Sequence, residues 1–136
     1  MSRSQMMRAV RSRNTAPERI VRRGLFRMGF RFRLQRRDLP GTPDLFVLRY
    51  RVVVFVNGCF WHQHGCASTT RPRSNTEFWN RKLDGNASRD VRTLRELFMG
   101  GFRVAVVWEC SLKKNADRSL ERLADFITGD EEFIEI

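Results

Sequence analysis

The sequence predicts an α/β fold in which helices flank a mixed β-sheet. Three observations indicate this class: an amphipathic helical pattern near the start, two apolar runs of strand length in the middle, and a helix–strand–helix pattern in the C-terminal half. A chain of 136 residues, 41% of them hydrophobic, can bury the core of one domain. We therefore expect a single domain over residues 1–136, with a basic arm at 1–14 and an acidic tail at 129–136.

The first predicted element is a helix. Residues 15–18 are typical of a helix start, because a threonine N-cap is followed by a proline in the first turn and a glutamate at the third position. Val21, Leu25 and Met28 then recur at helical spacing and should face the core. Gly29 is the expected end of this helix.

Three strands are predicted after this helix. Phe30–Leu34 alternates apolar residues with arginine, as a half-exposed strand does. Residues 39–43 form a turn-rich connection, and Asp44–Leu48 and Val52–Val56 then read as two strands around a turn. The last of these strands is apolar on both faces, which predicts a central, buried position in the sheet.

The C-terminal half is predicted to form a helix, a strand and a helix. Thr76–Phe98 has a helical pattern, with a break expected near Asp84-Gly85-Asn86. Phe102–Trp108 is apolar enough for another buried strand, and Leu112–Phe126 again has helical spacing. Residues 129–136 are acidic, and we expect them to be loosely held. The apolar face of the first of these helices should consist of Val91, Leu94, Leu97 and Phe98.

Positive charge dominates the composition. The net charge is +11 and the isoelectric point is about 11.2. Residues 1–37 contain 12 arginines and one acidic residue, Glu18. Guanidinium groups suit phosphate oxygens, so a nucleic acid is the expected partner, although charge does not distinguish DNA from RNA or binding from cleavage. Without a membrane-length apolar run or a secretory signal pattern, we expect a cytoplasmic, nucleoid-associated protein with no membrane partner.

Residues 57–66, NGCFWHQHGC, concentrate metal-binding side chains in one irregular loop. The loop contains both histidines and two of the three cysteines of the chain. An odd cysteine count argues against a disulfide framework, and zinc favours four Cys or His ligands. The spacing leaves open which histidine binds the metal and which is available for acid–base chemistry. The candidate zinc ligands are Cys59, His64, Cys66 and Cys110, with His62 as the remaining histidine.

A carboxylate precedes the second predicted strand. Asp44 follows Pro43 at a strand start, where it would face the mouth of the sheet, a common position for a ligand of a hard cation such as Mg²⁺. Phosphodiester hydrolysis needs an activated water, neutralisation of phosphoryl charge and help for the leaving oxygen. Asp44 as metal ligand and His62 as base would form a minimal set. Taken alone, a Pro-Asp pair is more often a turn.

Four motifs in order, LPGTPD, NGCFWHQHGC, TEFW and VVWEC, closely resemble those of the very-short-patch-repair (Vsr) DNA mismatch endonucleases. The resemblance extends from about Met6 to Phe126. It implies a variant of the restriction-endonuclease-like core with a structural zinc site. It also implies a Mg²⁺-dependent DNA endonuclease that nicks one strand 5′ of the mispaired T in T·G mismatches, which arise when 5-methylcytosine is deaminated.

The resemblance further implies roles for individual residues. Asp44 would bind the catalytic Mg²⁺, and the position of Val56 would contribute its backbone carbonyl. His62 would activate the attacking water and Glu18 would orient it, although Glu18 also fits a capping box with Thr15. A structural zinc would be held by Cys59, His64, Cys66 and Cys110. The residues that enter the DNA base stack beside the mismatch would be Met7, Phe60, Trp61 and Trp79.

Asn57 departs from the family pattern. Relatives commonly carry an ionisable His or Asp at this catalytic position, where it helps the leaving group or the metal site, and asparagine cannot titrate near neutral pH. Two alternatives therefore stay open: a Vsr-like nicking enzyme that requires no mismatch, and a zinc-stapled DNA-binding module without hydrolytic activity. Nicking of one strand of double-stranded DNA fits a monomer. A cytosine-5 DNA methyltransferase is the candidate functional companion.

Overall fold

The computed structural model describes residues 15–58 and 76–136, apart from the side chains of Trp79, Asn86 and Ala87. Within these ranges no helix is long and apolar enough to cross a membrane. In chain order, the elements are α1 (Ala16–Arg27), β1 (Arg33–Leu34), β2 (Leu45–Val47), a 3-10 turn (Leu48–Tyr50), β3 (Val52–Asn57), α2 (Thr76–Met99), β4 (Arg103–Trp108), α3 (Glu109–Thr128) and β5 (Phe133–Glu135).

The five described strands form one mixed sheet in the order β1-β2-β3-β4-β5. β1, β2 and β3 pair antiparallel, whereas β3, β4 and β5 pair parallel. The predicted mixed sheet flanked by helices is therefore confirmed. β3 lies in the middle, as its apolar residues on both faces predict, and Val52, Val53 and Val54 are fully buried. The more specific prediction of a restriction-endonuclease-like core stays a prediction.

Alternate residues of β3 face opposite sides of the sheet and contribute to two separate cores. Val52, Val54 and Val56 belong to the core that includes residues of α1 and α3. Val53 belongs to the core on the other side, with Leu97 of α2. Helices therefore cover both faces of the sheet and fix the ends of β2 and β3, where the candidate site lies.

Helix α1 begins as predicted, because the Thr15 hydroxyl accepts a hydrogen bond from the Glu18 backbone N–H at 3.4 Å. Val21 and Leu25 are fully buried, as predicted. The prediction that Met28 continues this face is wrong, since the helix ends at Arg27 and Met28 is 46% exposed. The inward face instead includes Glu18, which brings a carboxylate into the interior.

Helix α2 is continuous, so the predicted break near Gly85 is wrong. One glycine in a helix interior costs only about 1 kcal/mol. The fully buried Leu83 and Leu97 anchor the helix on both sides of that position. Val91 and Phe98, predicted to face the core, are 60% and 39% exposed. Leu97 and Leu94 do pack in the core on this side of the sheet, so the predicted face is confirmed for these two residues and wrong for Val91 and Phe98.

The sequence predicted a loosely held acidic tail at 129–136, and this prediction is wrong. The segment contains β5, which pairs with β4, and Ile136 is 5% exposed. The Arg103 guanidinium also donates to the carbonyl oxygens of Phe126 at 2.6 Å and Glu131 at 2.8 Å. The acidic composition of the segment did not indicate β5, the short strand that forms one edge of the sheet.

Candidate active site

Asp44 lies immediately before β2, beside the end of β3. The two strands are antiparallel and Leu45 pairs with Val54, so the start of β2 lies next to the end of its neighbour. The Oδ2 atom of Asp44 accepts a hydrogen bond from the Val56 backbone N–H at 2.7 Å. This hydrogen bond fixes the carboxylate at the end of the sheet where β2 begins and β3 ends, which is the position that the sequence predicts.

Glu18 brings a second carboxylate to the same place from α1. Glu18 is only 4% exposed, although it lies in the first turn of a helix. The backbone N–H of Glu18 caps the helix through Thr15, whereas its Oε2 atom accepts a hydrogen bond from the Gln35 side chain at 3.4 Å. The residue therefore takes part in the cap through its backbone while its carboxylate lies in the candidate site.

Gln35 links the two carboxylates, and sequence reasoning missed it. Its Nε2 atom lies 3.4 Å from Glu18 Oε2 and 3.4 Å from Asp44 Oδ1. The Gln35 backbone N–H also donates to the Asp44 carbonyl oxygen at 3.3 Å. The backbone at Gln35 is left-handed, with φ of 50°. A polar residue at the end of an alternating run was the available signal, but the pattern does not specify this backbone conformation.

The environment of Asp44 raises the pKa of its carboxyl group to about 7. Desolvation by burial is the largest cause, and the neighbouring Glu18 adds Coulomb repulsion and a hydrogen bond that favours the protonated form. The Val56 N–H and the Gln35 amide act in the opposite direction, because both donate to the charged carboxylate. Asp44 therefore lies in a site where negative charge is unfavourable unless a cation is bound.

The chemistry of this pair fits a hard divalent cation. Carboxylate and carbonyl oxygens are the ligands that Mg²⁺ prefers, and a cation beside Asp44 would relieve its repulsion from Glu18. In residues 15–58 and 76–136, no group of three or more His, Cys, Asp or Glu side chains could hold a metal ion. Two carboxylates would therefore need further oxygen ligands, and Mg²⁺ usually takes these from water and substrate phosphates.

A cavity of about 480 Å³ opens beside Asp44, between the sheet and α2. Val56 and Asn57, two other predicted site residues, line it together with Asp44. Asp90 of α2 lines the same cavity and was missed by sequence reasoning. It lies seven residues after the buried Leu83, so an acidic residue at a core-facing helical position was the available signal. The structure therefore gathers Asp44, Val56 and Asn57 around one opening.

Of the predicted zinc ligands, only Cys110 lies within the described residues. It is half-buried in the first turn of α3, two residues after Trp108. β3 and β4 are parallel and Asn57 pairs with Trp108, so the chain leaves both strands at the same edge of the sheet. The other predicted site residues lie outside the described residues or have undescribed side chains: Met7, Cys59, Phe60, Trp61, His62, His64, Cys66 and Trp79.

Comparison with known proteins assigns the chain to a family. The sequence model of the family described as DNA mismatch endonuclease Vsr matches residues 1–68 of the chain. A relative that carries the same description, from Escherichia coli strain K12, is 44% identical over 133 residues, which cover 95% of this chain and 85% of the relative. The chain therefore belongs to the Vsr endonuclease family.

Two further relatives bear a different name. The type II nicking enzyme V.XorIIP of Xanthomonas oryzae pv. oryzae is 50% identical over 110 residues, which cover 81% of each chain. The type II nicking enzyme V.NmeAIP of Neisseria meningitidis serogroup A is 45% identical over 114 residues, covering 84% of this chain and 81% of the relative. Similarity therefore extends to proteins named for mismatch cleavage and to proteins named for nicking.

Proposed function

We propose that this protein is a Mg²⁺-dependent DNA endonuclease. It would nick one strand 5′ of the mispaired T in T·G mismatches left by deamination of 5-methylcytosine. The observation that carries the proposal is the pair of carboxylates, the buried Glu18 and the half-buried Asp44, bridged by Gln35 where β2 begins beside the end of β3. Membership of the Vsr family and the E. coli relative named for DNA mismatch cleavage support the DNA substrate.

Asp44 would hold the Mg²⁺, with Glu18 and the backbone carbonyl of Val56 beside it. When bound, Mg²⁺ neutralises charge on the phosphoryl group and increases the acidity of water. Asp44 must lose its proton to act as a ligand, and the Val56 N–H stabilises that charged form. Glu18 would accept a hydrogen bond from the attacking water and orient it. Asn57 can donate hydrogen bonds at the cavity wall but cannot supply a proton.

Proton removal from the attacking water is assigned to His62. An imidazole has an unperturbed pKa near ~6.5, which suits a general base at neutral pH. His62 lies outside the described residues, so this assignment rests on the NGCFWHQHGC motif and on the chain leaving β3 at the edge where Asp44 lies.

Binding of duplex DNA would use arginines for the backbone and apolar side chains for the mismatch. Arg23, Arg27, Arg31 and Arg33 are exposed on α1 and the segment after it, where they can contact phosphates independently of sequence. A mismatched base step is cheaper to unstack than a matched one, so inserted side chains can recognise T·G by deformation. The residues assigned to this insertion are Met7, Phe60, Trp61 and Trp79.

A structural zinc would stabilise the loop that follows β3. Its proposed ligands are Cys59, His64, Cys66 and Cys110, a closed tetrahedral set of the kind found in structural sites. The support for this site is the position of Cys110, at the edge where β3 and β4 both end. Zinc would then connect the loop to the start of α3.

A second candidate function is sequence-directed nicking of matched DNA. It is supported by the 50% and 45% identity to relatives named type II nicking enzymes. Asn57 also favours it, because asparagine cannot titrate near neutral pH and the resemblance implies an ionisable His or Asp at this position in many relatives. In either function the enzyme would act as a monomer, and a cytosine-5 DNA methyltransferase would be its functional companion.

The test uses three end-labelled duplexes that differ at one base pair: matched, T·G and A·C. Each is incubated with the protein and MgCl₂, with an EDTA control. We expect a nick only in the T·G duplex, on the T strand, and none in EDTA. A nick in all three duplexes would replace the mismatch proposal with sequence-directed nicking. Tight binding without any nick would contradict both and would favour a DNA-binding module.

A further inference from the structure

We infer that Gln35 is a positioning residue for the metal site, through an amide that holds the Asp44 and Glu18 carboxylates in the arrangement that receives Mg²⁺. This inference rests on the proposed function. Gln35 would not touch the reacting phosphate. Its side chain would act on the two carboxylates, because one Nε2 atom lies within hydrogen-bonding distance of both.

The chemistry of an amide suits this role. An NH₂ group has two N–H donors, so one nitrogen can serve two carboxylates at the same time. It carries no charge and therefore leaves the negative charge of the pair for a cation. A lysine or arginine in the same place would compete with the metal, whereas a side chain without donors would leave the repulsion between Asp44 and Glu18 unopposed.

The backbone at Gln35 provides an independent observation. Residues other than glycine rarely adopt a positive φ, and Asn, Asp and His are the usual exceptions. Gln35 nevertheless has a φ of 50°, immediately after β1 ends. Sparsely populated backbone conformations of this kind often occur at functional sites. The hydrogen bond from the Gln35 N–H to the Asp44 carbonyl oxygen fixes the position from which the side chain reaches both carboxylates.

The main test variant is Gln35→Met, which keeps the length of the side chain and removes both donors. Outer-shell partners of metal ligands typically contribute 10- to 100-fold to metal affinity, so we expect the half-saturating Mg²⁺ concentration for nicking to rise about tenfold. The nicking rate at saturating Mg²⁺ should recover to near the wild-type rate. A purely structural role would instead reduce the rate at every Mg²⁺ concentration without moving the half-saturation point.

A second readout does not depend on activity. Calorimetric titration of CaCl₂ into the protein bound to a T·G duplex should show weaker Ca²⁺ binding for Gln35→Met than for the wild type, because Ca²⁺ uses the same oxygen ligands. Should Gln35→Met fail to fold, Gln35→Asn replaces it, since asparagine tolerates the left-handed backbone but is too short to bridge both carboxylates.

Arg51→Gly is the matched control. Arg51 is also left-handed, with φ of 56°, but lies at the opposite end of β3, where its side chain donates to the Gly100 carbonyl oxygen. We expect its half-saturating Mg²⁺ concentration to equal that of the wild type. Unchanged Ca²⁺ affinity and unchanged Mg²⁺ half-saturation in Gln35→Met would overturn the inference. Absence of Ca²⁺ binding by the wild-type complex would instead count against the proposed metal-dependent function.

Discussion

Asp38 and Asp44 are six residues apart, and their surroundings give them opposite properties. Asp38 lies in an exposed turn and forms a two-point ion pair with Arg36, at 2.7 Å and 2.5 Å. The hydrogen bond from Arg36 lowers the pKa of Asp38 below its ordinary value. Asp44 accepts hydrogen bonds from a backbone N–H and a side-chain amide and lies beside Glu18. Desolvation by burial is the main reason why its pKa is raised to about 7.

These surroundings determine which of the two carboxylates can bind a metal ion. Asp38 already has a full positive charge next to it and is surrounded by solvent, so binding of a further cation there would be only weakly favourable. Asp44 accepts hydrogen bonds from neutral donors, and its surroundings disfavour the charged carboxylate. Binding of a divalent cation would therefore be more favourable at Asp44 than at Asp38. The same side chain is a surface ion pair in one region and a candidate metal ligand in the other.

Among substitutions of Asp44, Glu18 and Asp38, Asp44→Asn should reduce nicking the most. The variant removes the proposed Mg²⁺ ligand while keeping the shape of the side chain. Even outer-shell partners of a metal contribute 10- to 100-fold, so nicking of a T·G duplex should fall by more than about 100-fold. Single-turnover nicking rates measure the effect. Rates within a factor of two of the wild-type rate would contradict the assignment of Asp44 as a Mg²⁺ ligand.

Glu18→Gln should have the next largest effect, a decrease in nicking of about 10- to 100-fold, because an outer-shell carboxylate is replaced by a neutral amide. Thr15→Ala is the control, since it removes the hydroxyl that caps α1 and leaves the carboxylate in place. Loss of such a cap costs about 1 kcal/mol of stability. Equal decreases in nicking for both variants would show that Glu18 acts only through the helix.

The stability of the folded protein in EDTA should fall with rising pH because of Asp44. The folded-state pKa of Asp44, about 7, exceeds the ordinary 3.8, so the folded protein binds this proton more tightly than the unfolded chain. Its contribution is complete below pH 3.8 and is lost as the pH rises through 7. Urea unfolding between these pH values should show a falling stability in the wild type and a flatter profile in Asp44→Asn. Identical slopes would contradict the raised pKa.

Asp38→Asn should change nicking the least. Asp38 belongs to an exposed ion pair, and such pairs contribute little to stability. Nicking and its Mg²⁺ dependence should match the wild type. A decrease comparable with that of Asp44→Asn would contradict the contrast between Asp38 as a surface ion pair and Asp44 as the candidate metal ligand.

The sequence predicted those parts of the molecule that depend on short-range patterns. The apolar runs of β3 and β4 predicted buried strands, and the motif around Asp44 predicted a carboxylate at a strand start. Gln35 was missed because its role depends on a left-handed backbone and on pairing with a residue nine positions later. The β5 strand was missed because its support comes from β4 and Arg103 and not from its own acidic composition.

A carboxyl NMR titration of Asp38 and Asp44, performed with and without MgCl₂, tests whether Asp44 is the metal-binding carboxylate. We expect Asp44 to titrate near pH 7 without metal and at clearly lower pH with Mg²⁺, because a bound cation favours the charged carboxylate. Asp38 should titrate below its ordinary value of 3.8 in both conditions. An Asp44 that titrates like an exposed aspartate, and does not respond to Mg²⁺, would contradict its assignment as the metal-binding carboxylate.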